Sequence, residues 1–283
     1  MSSIDNTLSS DESSSDEGPE LEIEKKFSIP DAEAANKMEQ RLASLGFEVT
    51  HKEHFVDWYF DLPAPHWHFS LMDCWFRYRE KKVKVLKNWG WKGAWQVKRG
   101  QKKEDGGDNT MENDGMTVYE ELQGKDAKEL ILNMLAELGD IIPAVDETMS
   151  SSSASNTNNM HYDHDIPYLA GSERLVPFAR LETFRTCYEA TNSDGEFSSL
   201  KVDVDKTNFG HMVGEVEAVI KDDDADDKMQ VDAAKKQIST LVDLICAKAT
   251  TTTDSMAAIG KLEYYLMNNQ PEHYNACVKA GVI

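Results

Sequence analysis

Long apolar runs are missing from this chain. No stretch approaches the roughly 20 residues an α-helix needs to cross a bilayer, so no membrane-spanning segment and no membrane partner are expected. Cysteine is scarce. Cys74, Cys187, Cys246 and Cys277 lie far apart and form no CxxC pair, so free buried thiols in a reducing compartment are expected. The opening Met-Ser-Ser-Ile-Asp has neither a basic region nor an apolar core. No secretory signal is expected, and the expected location is the cytoplasm. Positive charge is short: 30 Lys and Arg stand against 51 Asp and Glu, a net charge of −21 at pH 7. Non-specific nucleic-acid binding needs a basic surface, so nucleic acid is not an expected partner. There is also no P-loop, no dinucleotide-binding glycine pattern and no Ser-His-Asp order.

What is present is charge arranged with a period of two. Glu22, Glu24 and Lys26 alternate with Leu21, Ile23, Lys25 and Phe27. In a strand, residues i, i+2 and i+4 share a face. Two carboxylates and an ammonium therefore line one side. The same texture returns with Trp75, Arg77 and Arg79 opposite Phe76 and Tyr78, with Asp203 and Asp205, and with Glu215 and Glu217. A wet sheet face is the ordinary explanation of one such stretch. Several of them in one chain point to charged faces that converge on a cavity.

The rest of the chain supplies the frame. Residues 1–19 read as a disordered acidic tail, and residues 20–283 as one domain with a flexible insertion over about 144–172, rich in Ser and Asn. Strands are expected over 21–29, 55–61, 73–84, 89–98, 118–122, 178–190, 200–206 and 211–220. The last two are paired through Thr207-Asn208-Phe209-Gly210. Helices are expected from Asp31 to Leu45, ended by Gly46, and over 127–138, 228–248, 255–266 and 271–280. The expected fold class is α+β: antiparallel strands curling towards closure, with a polar inside and outer faces packed on helices. His161-Tyr162-Asp163-His164-Asp165 reads as solvated loop, and His66-Trp67-His68 as a loop with an aromatic anchor.

The cavity acids are Glu22, Glu24, Glu121, Asp203, Glu215 and Glu217. Its bases are Lys26, Arg77, Arg79, Lys98, Arg185 and Lys261. Burying so many charges is costly unless they pair or bind something. Carboxylates spaced i, i+2 suit a hard divalent cation, and arginine forks match phosphate oxygens. Acids with bases in one cavity point to a phosphate chain with bridging Mg²⁺ or Mn²⁺.

In order, these motifs resemble the CYTH family of triphosphate tunnel metalloenzymes, and within it the animal-type thiamine triphosphatases. The likeness runs from Glu20 to about Val282. Beyond the ExExK start it includes Asp57-Trp58-Tyr59-Phe60-Asp61-Leu62-Pro63, Trp75-Phe76-Arg77-Tyr78-Arg79-Glu80, Trp95-Gln96-Val97-Lys98, Tyr119-Glu120-Glu121-Leu122, Val202-Asp203-Val204-Asp205, Gly214-Glu215-Val216-Glu217-Ala218 and Gly260-Lys261-Leu262. It implies a closed eight-stranded antiparallel tunnel with surrounding helices. It implies a triphosphate held by Lys26, Arg77, Arg79, Lys98, Arg185 and Lys261, and Mg²⁺ held by Asp203, Glu215 and Glu217. Glu22 and Glu24 would then sit near a second metal or the attacking water. Trp75 is implied to stack on the thiamine moiety, and Tyr59 and Tyr119 match family tyrosines near the site. The expected reaction is metal-dependent hydrolysis of thiamine triphosphate by a monomer. The alternative is an inorganic tripolyphosphatase, or another triphosphatase of the same fold. The chain departs from the family pattern in its acidic tail, its Gly106-Gly107 loop and its Ser/Asn insertion.

Overall fold

Alternation of side chains builds eight strands, and the computed structural model closes them into one barrel. It describes residues 20–85, 88–100, 115–139, 167–221, 228–246 and 258–283. The strands are β1 (Glu20–Ser28), β2 (Phe47–Asp61), β3 (Cys74–Val85), β4 (Asn88–Gly100), β5 (Met116–Gln123), β6 (Val176–Ala190), β7 (Lys201–Thr207) and β8 (Met212–Lys221). Their order around the barrel is β1-β5-β4-β3-β2-β6-β7-β8, and every neighbouring pair is antiparallel. Closure removes the sheet edges. It also gives each strand an inner face, and here that face is the charged one.

The outer faces carry the apolar core. Leu21, Ile23 and Phe27 of β1 join Val216, Ala218 and Ile220 of β8 under two helices. The first is α1 (Ala32–Ser44), whose N-terminus is capped by the Asp31 carboxylate accepting from Ala34 N at 2.8 Å. It buries Met38 and Leu42. A third helix, α3 (Lys228–Cys246), adds Ile238, Leu241, Val242 and Ile245. Between these two in sequence, α2 (Gly124–Glu137) lays Ala127, Ile131 and Leu135 against the outer side of β2, β3 and β4. Each such fully buried aliphatic side chain contributes about 1.5–3 kcal/mol. The chain ends in α4 (Lys261–Asn269) and α5 (Pro271–Ala280).

Three local devices fix the geometry of the barrel rim. The turn between β7 and β8 needs a left-handed residue, and Gly210 supplies it at φ +86°. Gly214 lies opposite Phe27, whose ring occupies the space of the missing side chain; a Cβ there would meet it at 2.0 Å. The Asp61 carboxylate accepts backbone N–H bonds from Leu62, Phe69 and Ser70 at 2.7–3.0 Å, which pins the loop after β2. In that loop Trp67 stacks on His273 of α5 at 4.7 Å, as the aromatic-anchor reading expects.

Three expected boundaries need correction. The second strand starts at Phe47, well before Phe55. Its first half is polar and poorly alternating, but β6 is long enough to pair with it from Ala190 inward. The helix expected from residue 255 starts at Lys261. Gly260 is its N-cap, with an extended backbone and a weak bond from its N–H to Glu263 Oε2 at 3.4 Å. The first helix ends a residue early, with Leu45 as its C-cap. The acidic tail, the Gly106-Gly107 loop, residues 148–159 and 161–165 lie outside the described residues. The strands before and after the insertion belong to a single barrel.

Candidate active site

The barrel encloses a cavity of about 940 Å³. Of the residues predicted for the site, Glu22, Glu24, Lys26, Tyr59, Trp75, Arg77, Arg79, Lys98, Tyr119, Arg185, Glu215, Glu217 and Lys261 all line it. Asp203 does not. It is fully buried in the wall and accepts bonds from Arg185 and Lys201. The register explains the gathering. Lys26 pairs with Glu215 and Glu24 with Glu217 across β1 and β8, Asp57 with Arg79 across β2 and β3, and Arg185 with Asp205 across β6 and β7.

One wall is made of arginine and aspartate. Arg79 binds Asp57 through both ends of its fork, at 2.6 and 2.7 Å. Arg185 does the same to Asp205, at 2.7 Å twice, and also reaches Asp203 and Glu215. Lys261, at the start of α4, reaches Asp205 as well. Beneath these cations lies the Phe55 ring, with Arg79 Cζ 4.0 Å from its centre and Arg185 Cζ and Lys261 Nζ each 5.4 Å away. Burial alone would raise the Asp57 carboxyl. Arg79 and then Arg77 outweigh it and hold it down at about 2.

The other wall is made of lysine and glutamate. Lys98 lies 2.7 Å from Glu22, 3.1 Å from Glu24 and 3.8 Å from Glu121. Lys26 pairs with Glu24 and stands 3.6 Å from Glu215. Burial works against the Lys26 ammonium, but Glu24 and Glu215 more than compensate, so it stays a cation. Burial works against the charge on Lys98 too, and Glu24, Glu22 and Glu121 reverse that. Tyr119 is pushed up to about 12, by burial first, with Lys26 pulling the other way and Glu24 adding to the rise. Its phenol is therefore neutral at physiological pH. Glu217 moves in the opposite direction to Asp57. Burial, and the nearby Glu22 and Asp203, push it up to about 7 although Lys201 pulls it down.

Sequence reasoning missed Lys201, which bridges Asp203 and Glu217 at 2.9 Å to each. The signal was available: Lys201, Asp203 and Asp205 alternate on one strand. It also missed Asp57 as the partner of Arg79, and Gln96, whose Oε1 accepts from Arg77 Nε at 2.8 Å. Nothing in the local sequence assigns those pairings; they follow from strand register. Trp75 stands beside Lys98 in register and donates from Nε1 to Asp73 Oδ1 at 2.8 Å, which fixes the plane of its indole.

The donor set also bears on a divalent cation. Glu22 and Glu217 face the cavity with Asp203 behind them. Glu22 and Asp203 add to the cost of ionising Glu217, and Lys201 offsets that cost only in part. A hard cation taking oxygen ligands fits such a charge-deficient carboxylate group.

A sequence profile for the CYTH domain matches residues 20–242. Thiamine-triphosphatases from Homo sapiens and Macaca fascicularis are each 26% identical to the chain over 265 residues, covering 92% of it and 90% of their own length. Among solved structures, the PH1012 protein from Pyrococcus horikoshii OT3 superposes with a TM-score of 0.41 at 14% identity, over 83% of this chain and 96% of that one.

Proposed function

Because the chain belongs to the CYTH family, we propose that it hydrolyses the terminal phosphoanhydride of an organic triphosphate, with thiamine triphosphate as the preferred substrate. The observation that carries this reading is the enclosed lumen in which Lys26, Arg77, Arg79, Lys98, Arg185 and Lys261 all face inward. The names of the relatives aligned over nearly the whole chain support the choice of substrate.

Phosphoryl transfer asks the protein for position and charge neutralisation more than for covalent chemistry. The arginines bind phosphate oxygens in a fixed orientation, because Asp57 and Asp205 already hold their forks. Lys26 and Lys98 remain cationic and neutralise charge on the transferred group and on the leaving diphosphate. Water attacks the terminal phosphorus in line. The bond from that phosphorus to the bridging oxygen breaks, and the leaving oxygen keeps the electron pair. Glu22 and Glu24 orient the water and accept its proton. Glu22, Glu215 and Glu217, with Asp203 behind them, would hold Mg²⁺ or Mn²⁺, which when bound neutralises phosphate oxygens and so stabilises the transition state. Trp75 offers its indole face to a cationic thiazolium.

The test is phosphate release from thiamine triphosphate, tripolyphosphate and ATP, each with Mg²⁺ and with Mn²⁺. The expected result is the highest kcat/KM on thiamine triphosphate and none in chelator. Faster turnover of tripolyphosphate would move the assignment to an inorganic substrate. Silence on all three would reduce the lumen to an anion-binding module.

A further inference from the structure

We infer that this chain carries a second, softer metal site, formed by His51, Glu53 and Cys187 at the end of the barrel opposite Tyr59, and that it takes Zn²⁺ or a cation of similar chemistry. The ligand atoms of the three residues lie within 4.8 Å of one another. His51 Nε2 is 3.6 Å from Glu53 Oε1. Zinc bonds of about 2.0–2.3 Å place tetrahedral ligands roughly 3.3–3.8 Å apart, so small side-chain rotations close the set. Imidazole, thiolate and carboxylate together select zinc over magnesium, which prefers oxygen alone.

The backbone builds this arrangement. The register between β2 and β6 slips between Val49 and His51, leaving Thr50 without a partner and setting His51 opposite Cys187. Bulges of this kind re-aim side chains. Thr50 suits one tautomer of the imidazole. Its Oγ1 lies 3.1 Å from His51 Nδ1 and a long 3.5 Å from the Cys187 carbonyl. In the tautomer that donates Nδ1–H to Thr50, the lone pair is on Nε2, on the side of Glu53. An outer hydrogen bond that orients a histidine in this way is what metal-bound imidazoles use. On the far side of Cys187, Asp203 stands opposite in register, and its buried Oδ1 has no hydrogen-bond partner. His51 is half exposed, which gives an ion a way in. Lys81 Nζ shares Glu53 Oε1 at 3.0 Å and is itself solvent-accessible, so it can leave when the cation arrives. On binding, Cys187 releases its thiol proton to solvent.

Cobalt(II) is the probe, because thiolate ligation gives it a ligand-to-metal charge-transfer band that oxygen ligation in the carboxylate cavity does not. Titration of the full chain should show one thiolate-bound Co²⁺ per chain, displaced by Zn²⁺. Cys187→Ser should remove the band and Cys246→Ser should keep it. His51→Ala alters an exposed residue and so guards against misfolding of the buried variant. It should weaken cobalt at least roughly tenfold. No band in the wild-type chain would overturn the site. So would a band that survives Cys187→Ser, or an unchanged affinity in His51→Ala. None of these readouts depends on triphosphate hydrolysis, so failure here and failure of the hydrolase reading are separable.

Discussion

The two walls of the lumen solve one problem with different side chains. Where β2, β3, β6 and β7 meet, short aspartates hold arginines by both ends of the guanidinium, and Asp57 and Asp205 are each 1% exposed. Where β1, β4, β5 and β8 meet, flexible glutamates face flexible lysines, with Lys26 and Lys98 exposed by 23% and 19%. The first wall is pre-paired and fixed. The second has partners that can be exchanged. A tunnel that orients a polyanion and still admits a cation needs both, because a fixed fork positions phosphate while a loosely held carboxylate is free to change ligand.

The largest break in this contrast should come from the aspartate side. Asp57→Ala leaves Arg79 buried without its partner, and breaking such a pair costs about 3–5 kcal/mol. Urea unfolding should show that loss for Asp57→Ala, against a smaller one for Glu121→Ala, whose partner Lys98 keeps Glu22 and Glu24. Equal losses would erase the distinction between the walls.

Next in size is an effect on turnover rather than on stability. Lys26→Ala should leave the unfolding free energy within about 1 kcal/mol of wild type and lower kcat at least ~10²-fold, as removal of a transition-state charge partner does. A folded Lys26→Ala variant with near-normal turnover would remove the lysine from the site.

The walls should also respond to pH with opposite sign. Asp57 is held at about 2 in the folded chain against an ordinary 3.8, so its contribution is complete above 3.8 and is lost as pH falls towards 2. Glu217 is raised to about 7 from an ordinary 4.5. The folded state then binds more protons than the unfolded one between those values, so its contribution is complete below 4.5 and is lost as pH rises through 7. The full swing for Glu217 is up to about 3 kcal/mol. Unfolding in chelator from pH 4.5 to 7.5 should show a downward slope that Glu217→Gln flattens. A variant as steep as wild type would place the titration elsewhere.

These contrasts also mark how far the sequence could be read. Alternation alone placed Glu22, Glu24, Lys26, Arg77 and Arg79 on inner faces, because side-chain period is a local property of a strand. The turn at Gly210 was legible for the same reason. Which acid meets which base was not, because Asp57 meets Arg79 and Asp205 meets Arg185 only through strand register between distant segments. Asp203 shows the limit best. Its alternation with Asp205 marks it as a cavity acid, yet Arg185 and Lys201 hold it within the wall. The first half of β2 was missed because its polar residues pair with β6 without an alternating pattern to announce them.

The smallest expected effect lies where the walls adjoin. Trp75 is on β3, beside Lys98 of β4, and its indole is held by Asp73. A cation over an indole face gains about 1–2 kcal/mol, so Trp75→Ala should lower kcat/KM for thiamine triphosphate by roughly five- to thirtyfold. Tripolyphosphate has no cationic ring, so its kcat/KM should hardly move. The ratio of the two substrates cancels general damage to the fold or to the phosphate ligands, which would slow both alike. If Trp75→Ala slows both equally, the indole is packing that supports Lys98, and discrimination between substrates must come from another part of the rim.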